Sequence, residues 1–180
     1  MSFIHCNNLL LWRHADAEPL PEIDSPEYES TSYISLDCAR PLSKKGHKQA
    51  EKIAAWINKN APKNTLIICS NALRAVQTAE ALKRDYIVFA SLAPGAALEE
   101  VLDTLSELPK NNLPYENLLV VGHQPWLGLL AAQLLNLPLS LPKNAKEIGI
   151  KKGALWWFKR PILQKKEAFK LYAVITPSLL

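Results

Sequence analysis

The chain has 180 residues, a formal net charge of +4 and a composition close to half hydrophobic. That length is enough for one compact domain with a real core, and no apolar run is long enough to cross a bilayer. Three cysteines, Cys6, Cys38 and Cys69, make an odd count without a CxxC pair, which points to neither a disulfide framework nor a zinc site.

Residues 1–8 lack the basic region, apolar stretch and cleavage site of a leader, so a cytoplasmic location is expected. The first element is a short apolar run, Leu9 to Trp12, of strand length. From Pro19 to Ala39 no period is visible, and prolines (Pro19, Pro21, Pro26) mix with acids (Glu22, Asp24, Glu27, Glu29). A loop this long inside a compact domain reads either as a functional lid or as a surface insertion. Ser43 is a candidate N-cap, followed by Ala50, Ile53, Ala54 and Ile57 at helical spacing with lysines elsewhere. Leu66 to Cys69 is a second strand, with Cys69 packing as a small hydrophobe. Asn71 then caps a second helix bearing Leu73, Val76 and Leu82. Ile87 to Phe89 is a third strand. Leu98, Val101, Leu102 and Leu105 stripe a third helix, which stops near Pro109.

Leu118 to Val121 is a fourth strand, and Leu127, Leu130, Ala131, Leu134 and Leu135 mark a fourth helix closed by Asn136 and Pro138. Ala154 to Phe158 and Phe169 to Ile175 close the chain as two more strands, the second alternating like a sheet edge. Apolar runs without alternation suit strands buried on both faces. The alternation of strand and helix therefore predicts one domain over residues 1–180. It is an α/β three-layer sandwich with a mainly parallel sheet, helices on both faces and an antiparallel C-terminal edge.

Three of the buried strands lead directly into chemistry-bearing residues. The first runs into Arg13 and His14, the second into Ser70 and then Arg74, the fourth into Gly122 and His123. In open parallel sheets ligands bind beyond the carboxyl ends of the strands. Neighbouring strands would thus bring two histidines and two arginines to one pocket, with helix N-termini also aimed at it. Guanidinium forks match phosphate oxygens, a neutral imidazole is a competent nucleophile toward phosphorus, and a second imidazole stabilises the developing charge. Fixed cations repel a divalent ion, so no metal is expected at His14 and His123.

The segment LLLWRHADAE resembles the RHG signature of the histidine phosphatase (phosphoglycerate mutase-like) superfamily. SNALRAVQTAEAL is similar to its second arginine helix, and LLVVGHQPWLGLLAAQLL to its second histidine motif. ARPLSKKGHKQAEKIAAWI is closer to one branch, the short SixA-type phosphohistidine phosphatases. The resemblance implies that His14 accepts the phosphoryl group, that Arg13 and Arg74 clamp it, and that His123 is the second pocket histidine. It makes Arg40 a further phosphate or substrate contact, and it implies a metal-independent phosphatase without cofactors. The partner implied is a phosphorylated histidine-containing phosphotransfer protein or a small phosphorylated substrate, not nucleic acid or membrane.

Two departures from the family pattern stand out. Ala15 occupies the glycine position of the signature, which restricts the backbone there. Ser91-Leu92-Ala93-Pro94 occupies the region where many phosphomonoesterases of the superfamily carry a carboxylic acid. An alkoxide leaving group needs a proton donor, whereas a phosphorylated imidazole is itself protonated near neutral pH and leaves neutral. The missing acid favours a phosphoramidate such as phosphohistidine, with Asp16 and Asp37 as the remaining proton sources. A small-molecule phosphomonoesterase and a non-catalytic phospho-partner module are the competing readings. The basic, aromatic stretch KKGALWWFKRP reads as an edge hairpin in preference to a nucleic-acid surface.

Overall fold

The computed structural model describes residues 4, 6–20, 33–108, 116–137, 148–160 and 169–180. The acids and prolines at 21–29, the helix stops at Pro109 and Pro138, and His5 lie outside the described residues.

A six-stranded sheet carries the fold, with strand order β3-β2-β4-β1-β5-β6. The strands are β1 (Asn8–Arg13), β2 (Thr65–Ser70), β3 (Ile87–Phe89), β4 (Asn117–Gly122), β5 (Leu155–Lys159) and β6 (Lys170–Ile175). β1, β2, β3 and β4 run parallel, while β5 and β6 pair antiparallel at one edge. The helices are α1 (Tyr33–Ala39), α2 (Lys44–Asn60), α3 (Leu73–Glu80), α4 (Leu98–Glu107) and α5 (Trp126–Leu134).

Because side chains alternate along a strand, each central strand feeds two cores. Leu9, Leu11, Leu118 and Val120 pack with Val101 and Leu105 of α4 and Leu127, Leu130 and Leu134 of α5. Leu10, Trp12, Leu119 and Val121 pack on the other face with Ile53, Ala54 and Ile57 of α2 and Ala75 and Ala79 of α3. Each such leucine or isoleucine contributes about 1.5–3 kcal/mol when fully buried. The three-layer α/β architecture expected from the sequence is the one observed.

Several local expectations are corrected. α3, expected as the second helix, has Ala72 at its cap position and no side-chain cap. Asn71 does not serve; instead Ser70 Oγ accepts from the Ala72 amide at 3.2 Å. β3 is an edge strand, so Ile87 and Val88 are each 46% exposed where burial on both faces was expected. Within the aperiodic 19–39 stretch, Tyr33–Ala39 forms a helix without a buried residue, too short for its period to be read. The aromatics of KKGALWWFKRP belong to β5, where Trp157 and Phe158 are buried and Trp156 packs partly against the core.

Other endings follow their residues. Ser43 Oγ accepts from the Gly46 amide at 3.0 Å and caps α2. Asn136 takes a positive φ of 54°. Its amide bonds the Gln133 carbonyl while Leu137 bonds Ala132, the crossed pair that closes a helix at a left-handed residue.

Gly46 marks the tightest joint between α2 and the turn after β1. A Cβ added there would lie 1.9 Å from the Asp16 carbonyl oxygen, which already accepts from the Ser43 amide. In an exposed helix, alanine is favoured over glycine by about 1 kcal/mol. Here overpacking reverses the sign. Gly46→Ala is expected to lose about 1–3 kcal/mol, measured by urea denaturation; a gain in stability would mean that the joint is not close-packed.

Candidate active site

The connections of β1 and β4 leave on opposite faces of the sheet, β1 toward α2 and β4 into α5. The two strands are neighbours in register, with Arg13 opposite Gly122. A crevice between adjacent strands whose connections diverge is where open α/β sheets hold ligands. His14 and His123 each follow directly on one of these strands. Their ring centroids are 4.9 Å apart, tilted at 48°. Gly122 is required by close approach, since a Cβ there would fall 2.0 Å from the ring of Trp126.

His14 is held at both ends of its residue. Its amide donates to the Gly122 carbonyl at 3.0 Å, and its carbonyl accepts from the Gly153 amide at 3.0 Å. Nδ1 lies 2.7 Å from the Ala15 carbonyl, which can only accept. Nδ1 therefore carries the ring hydrogen, and Nε2 keeps its lone pair. From the first turn of α3, Arg74 places Nε 3.4 Å from that Nε2.

The other expected residues close around this contact. Arg13 donates from Nη1 to the Ile150 carbonyl at 2.7 Å. Arg40, just after α1, donates to the Glu18 carbonyl at 3.0 Å and pairs with Asp37 at 2.9 Å. Arg13, Arg74 and Arg40 all bear electrostatically on His123. Arg13 Nε, Arg40 Nε and both ring nitrogens of His123 are buried without a hydrogen-bond partner among the described residues. Buried polar atoms of this kind cost free energy unless something pairs with them.

Both imidazoles are held neutral. Burial first, then the nearby arginines, pushes His14 down to about 3. Burial, then His14 and the arginines, pushes His123 down to about 2. A surrounding phosphate would favour the protonated form of His123; without that anion the pocket keeps it uncharged.

Residues the sequence reading passed over support this arrangement. Thr78, one helical turn after Arg74, accepts from the Ala15 amide at 3.1 Å and donates to the Arg74 carbonyl at 2.6 Å. Ala15 itself is buried and is absent from the described positive-φ positions, so its backbone does not demand glycine. The stretch 148–154 forms a wall: Ile148 accepts from Gln124 and Gly153 from the Trp12 indole. Its signal in the sequence was a single Lys-Lys-Gly turn. Asp37, which the sequence offers only as a proton source, is engaged directly with a pocket arginine. Its carboxylate pairs with Arg74 at 2.8 Å, and its carbonyl accepts from the same guanidinium.

Asp16, a candidate proton source, is bonded by Lys152 at 2.7 Å and by Ser43 at 2.9 Å. The hydrogen bond from Lys152, and then that from Ser43, holds its carboxyl below the ordinary value despite some desolvation. Ser91 accepts from Thr104 at 2.7 Å and brings no acid to the pocket. No group of three or more His, Cys, Asp or Glu side chains gathers as a metal site among the described residues. No described helix is long and apolar enough to cross a membrane.

Residues 9–100 match the Histidine phosphatase superfamily (branch 1). The chain belongs to that superfamily. A Mycobacterium tuberculosis protein of uncharacterised function, Rv1276c, is 33% identical over 99 residues, covering 54% of this chain and 61% of its own length. The chain thus spans about three fifths of the curated relatives it matches. A SixA structure from Agrobacterium tumefaciens superposes with a TM-score of 0.70 at 20% identity, covering 96% of this chain and 99% of that one. The protein histidine phosphatase SixA complexed with tungstate gives 0.68 at 20% identity, over 96% and 98% of the two chains. At these identities the structures share the fold, a mainly parallel sheet between helices.

The buried neutral histidines give stability a pH dependence of known sign. Their folded pKa values lie below the unfolded value of about 6.5, so the unfolded chain binds more protons as pH falls. Stability present above about pH 6.5 should decline toward pH 3, by on the order of 1.4 kcal/mol per pH unit for each histidine. Thermal melts from pH 7 to pH 5 should show this fall, and it should shrink in His123→Gln. A flat profile would mean that the imidazoles are not held neutral by the fold.

Proposed function

We propose that this protein is a phosphohistidine phosphatase, transferring the phosphoryl group of a phosphorylated histidine protein to His14 and then to water. The observation that carries the reading is the Arg74 Nε beside the lone pair of His14 Nε2, inside a buried cluster of guanidinium and imidazole groups. An anion with several acceptor oxygens answers the unpartnered Nε donors of the Arg13 and Arg40 guanidiniums. Arg13 and Arg74 clamp the phosphoryl oxygens, and Arg40 contacts substrate at the margin. His123 donates to an equatorial oxygen, and the phosphoryl charge favours its protonated form.

In the first step the Nε2 lone pair forms a bond to phosphorus as the bond to the leaving nitrogen breaks. That nitrogen keeps the electron pair. Water then attacks phosphorus, the bond to Nε2 breaks with its pair returning to His14, and the protons of water pass to phosphate and solvent. No step requires a metal ion or a cofactor.

The choice of phosphoramidate over ester rests on proton supply. An alkoxide must be protonated as it leaves, and Asp16 is engaged as a carboxylate while Ser91 offers no acid. A phosphorylated imidazole protonated on its distal nitrogen leaves neutral. The structural likeness to the protein histidine phosphatase SixA agrees with this choice.

The test compares wild type with His14→Ala on a phosphorylated histidine-containing phosphotransfer protein and on an aryl phosphate. Wild type should strongly prefer the phosphoprotein, and His14→Ala should abolish its turnover. Arg74→Ala should lower kcat by roughly 10²–10³-fold, the scale seen when one charge-stabilising donor is removed. Faster turnover of the ester would indicate a small-molecule phosphomonoesterase, and tight phospho-dependent binding without turnover a non-catalytic module.

A further inference from the structure

The described carboxylate that touches the pocket arginines is Asp37. One oxygen pairs with Arg74 at 2.8 Å and the other with Arg40 at 2.9 Å. The Asp37 carbonyl accepts from Arg74 as well. These contacts take the outer end of the Arg74 fork, at Nη1 and Nη2. Nε, on the inner edge, remains directed at His14. A phosphoryl group can thus bind Arg74 through that edge while Asp37 stays in place.

A carboxylate offers about four lone-pair sites, and the two salt bridges use one on each oxygen. Asp37 therefore retains acceptor capacity beside the pocket. It lies one guanidinium away from the attacking atom, and its side chain is 15% exposed, at the pocket margin. Salt-bridged on both oxygens to Arg40 and Arg74, it is engaged as a hydrogen-bond acceptor and not as a donor. Such a group suits a leaving group that carries an N–H. It gives nothing to an alkoxide, which needs a proton delivered.

We infer that Asp37 is the specificity residue for the leaving group, accepting the distal ring N–H of a phosphorylated imidazole. The inference rests on the phosphohistidine reading above and names the residue that would enforce it. In the protonated substrate ring one nitrogen carries phosphorus and the other the hydrogen. Asp37 stabilises that cationic ring. As the P–N bond breaks, its electron pair stays on the ring nitrogen, the distal proton stays where it is, and imidazole departs neutral. The groups facing this interaction are Arg40 and Arg74 in direct contact with Asp37, with Arg13, His14 and His123 sharing the pocket.

The experiment measures kcat and kcat/KM of wild type, Asp37→Asn and Asp37→Glu on phosphoimidazole and on an aryl phosphate, across pH. Asp37→Asn should lower the ratio of phosphoimidazole to aryl phosphate kcat/KM by roughly ten- to hundredfold, the scale of one hydrogen bond to a charged group. Asp37→Glu should restore part of it. On phosphoimidazole, kcat falls as rising pH deprotonates the bound ring. That fall should lie at lower pH in Asp37→Asn, which lacks the charge that favours the protonated ring.

Equal losses on both substrates would overturn the inference and leave Asp37 as a support for the arginines. So would a greater loss on the ester, which would make Asp37 a proton donor. If wild type prefers phosphoimidazole and Asp37→Asn keeps that preference, the inference falls and the phosphohistidine reading stands. If wild type itself shows no preference, both fall. Unchanged thermal melts of Asp37→Asn show that the variant is folded.

Discussion

An arginine nitrogen and an imidazole lone pair meet across 3.4 Å at Arg74 and His14, both almost removed from water. Neither group is ordinarily stable in such a place without partners. The surrounding structure is arranged to supply them. Ala15 takes the hydrogen on Nδ1, Asp37 balances Arg74 from the far side, and Thr78 ties the helix of Arg74 to the turn of His14. Because His14 is neutral, a nucleophilic lone pair coexists with fixed positive charge. A protonated imidazole in the same pocket would offer no lone pair and would repel the guanidiniums.

The sheet makes that contact possible. β1, β4 and β2 lie side by side and end nearly level, so residues far apart in the chain arrive together. The divergence of the connections after β1 and β4 opens the space between His14 and His123. Trp12 and Trp126 then anchor the two sides: one indole donates to Gly153, and the other ring lies against Gly122.

Much of this was legible in the sequence because it rests on local pattern. Strands buried on both faces leave uninterrupted apolar runs, and the stripe of Ala50, Ile53, Ala54 and Ile57 is visible because one helix face meets the sheet. Arg13, His14 and His123 could be placed because each follows directly on such a run, and Arg74 because it lies in the first turn of the helix after one. What escaped depends on long-range contact. Tyr33–Ala39 buries nothing and so prints no period, yet it delivers Asp37 to Arg74. The 148–154 wall acts mainly through backbone carbonyls and amides, which no side-chain pattern reveals. The position of β3 at the edge depends on strand order, and Ile-Val-Phe reads the same at an edge as in the centre.

The central claim is that phosphorus passes through His14. Rapid acid-free quenching of wild-type protein mixed with phosphorylated phosphotransfer protein, followed by peptide mass spectrometry, tests it directly. The account predicts transient gain of one phosphoryl group on the peptide containing His14, acid-labile and absent from His14→Ala. Turnover at the normal rate with no phosphoryl group ever detected on that peptide, or with one on another residue, would contradict it.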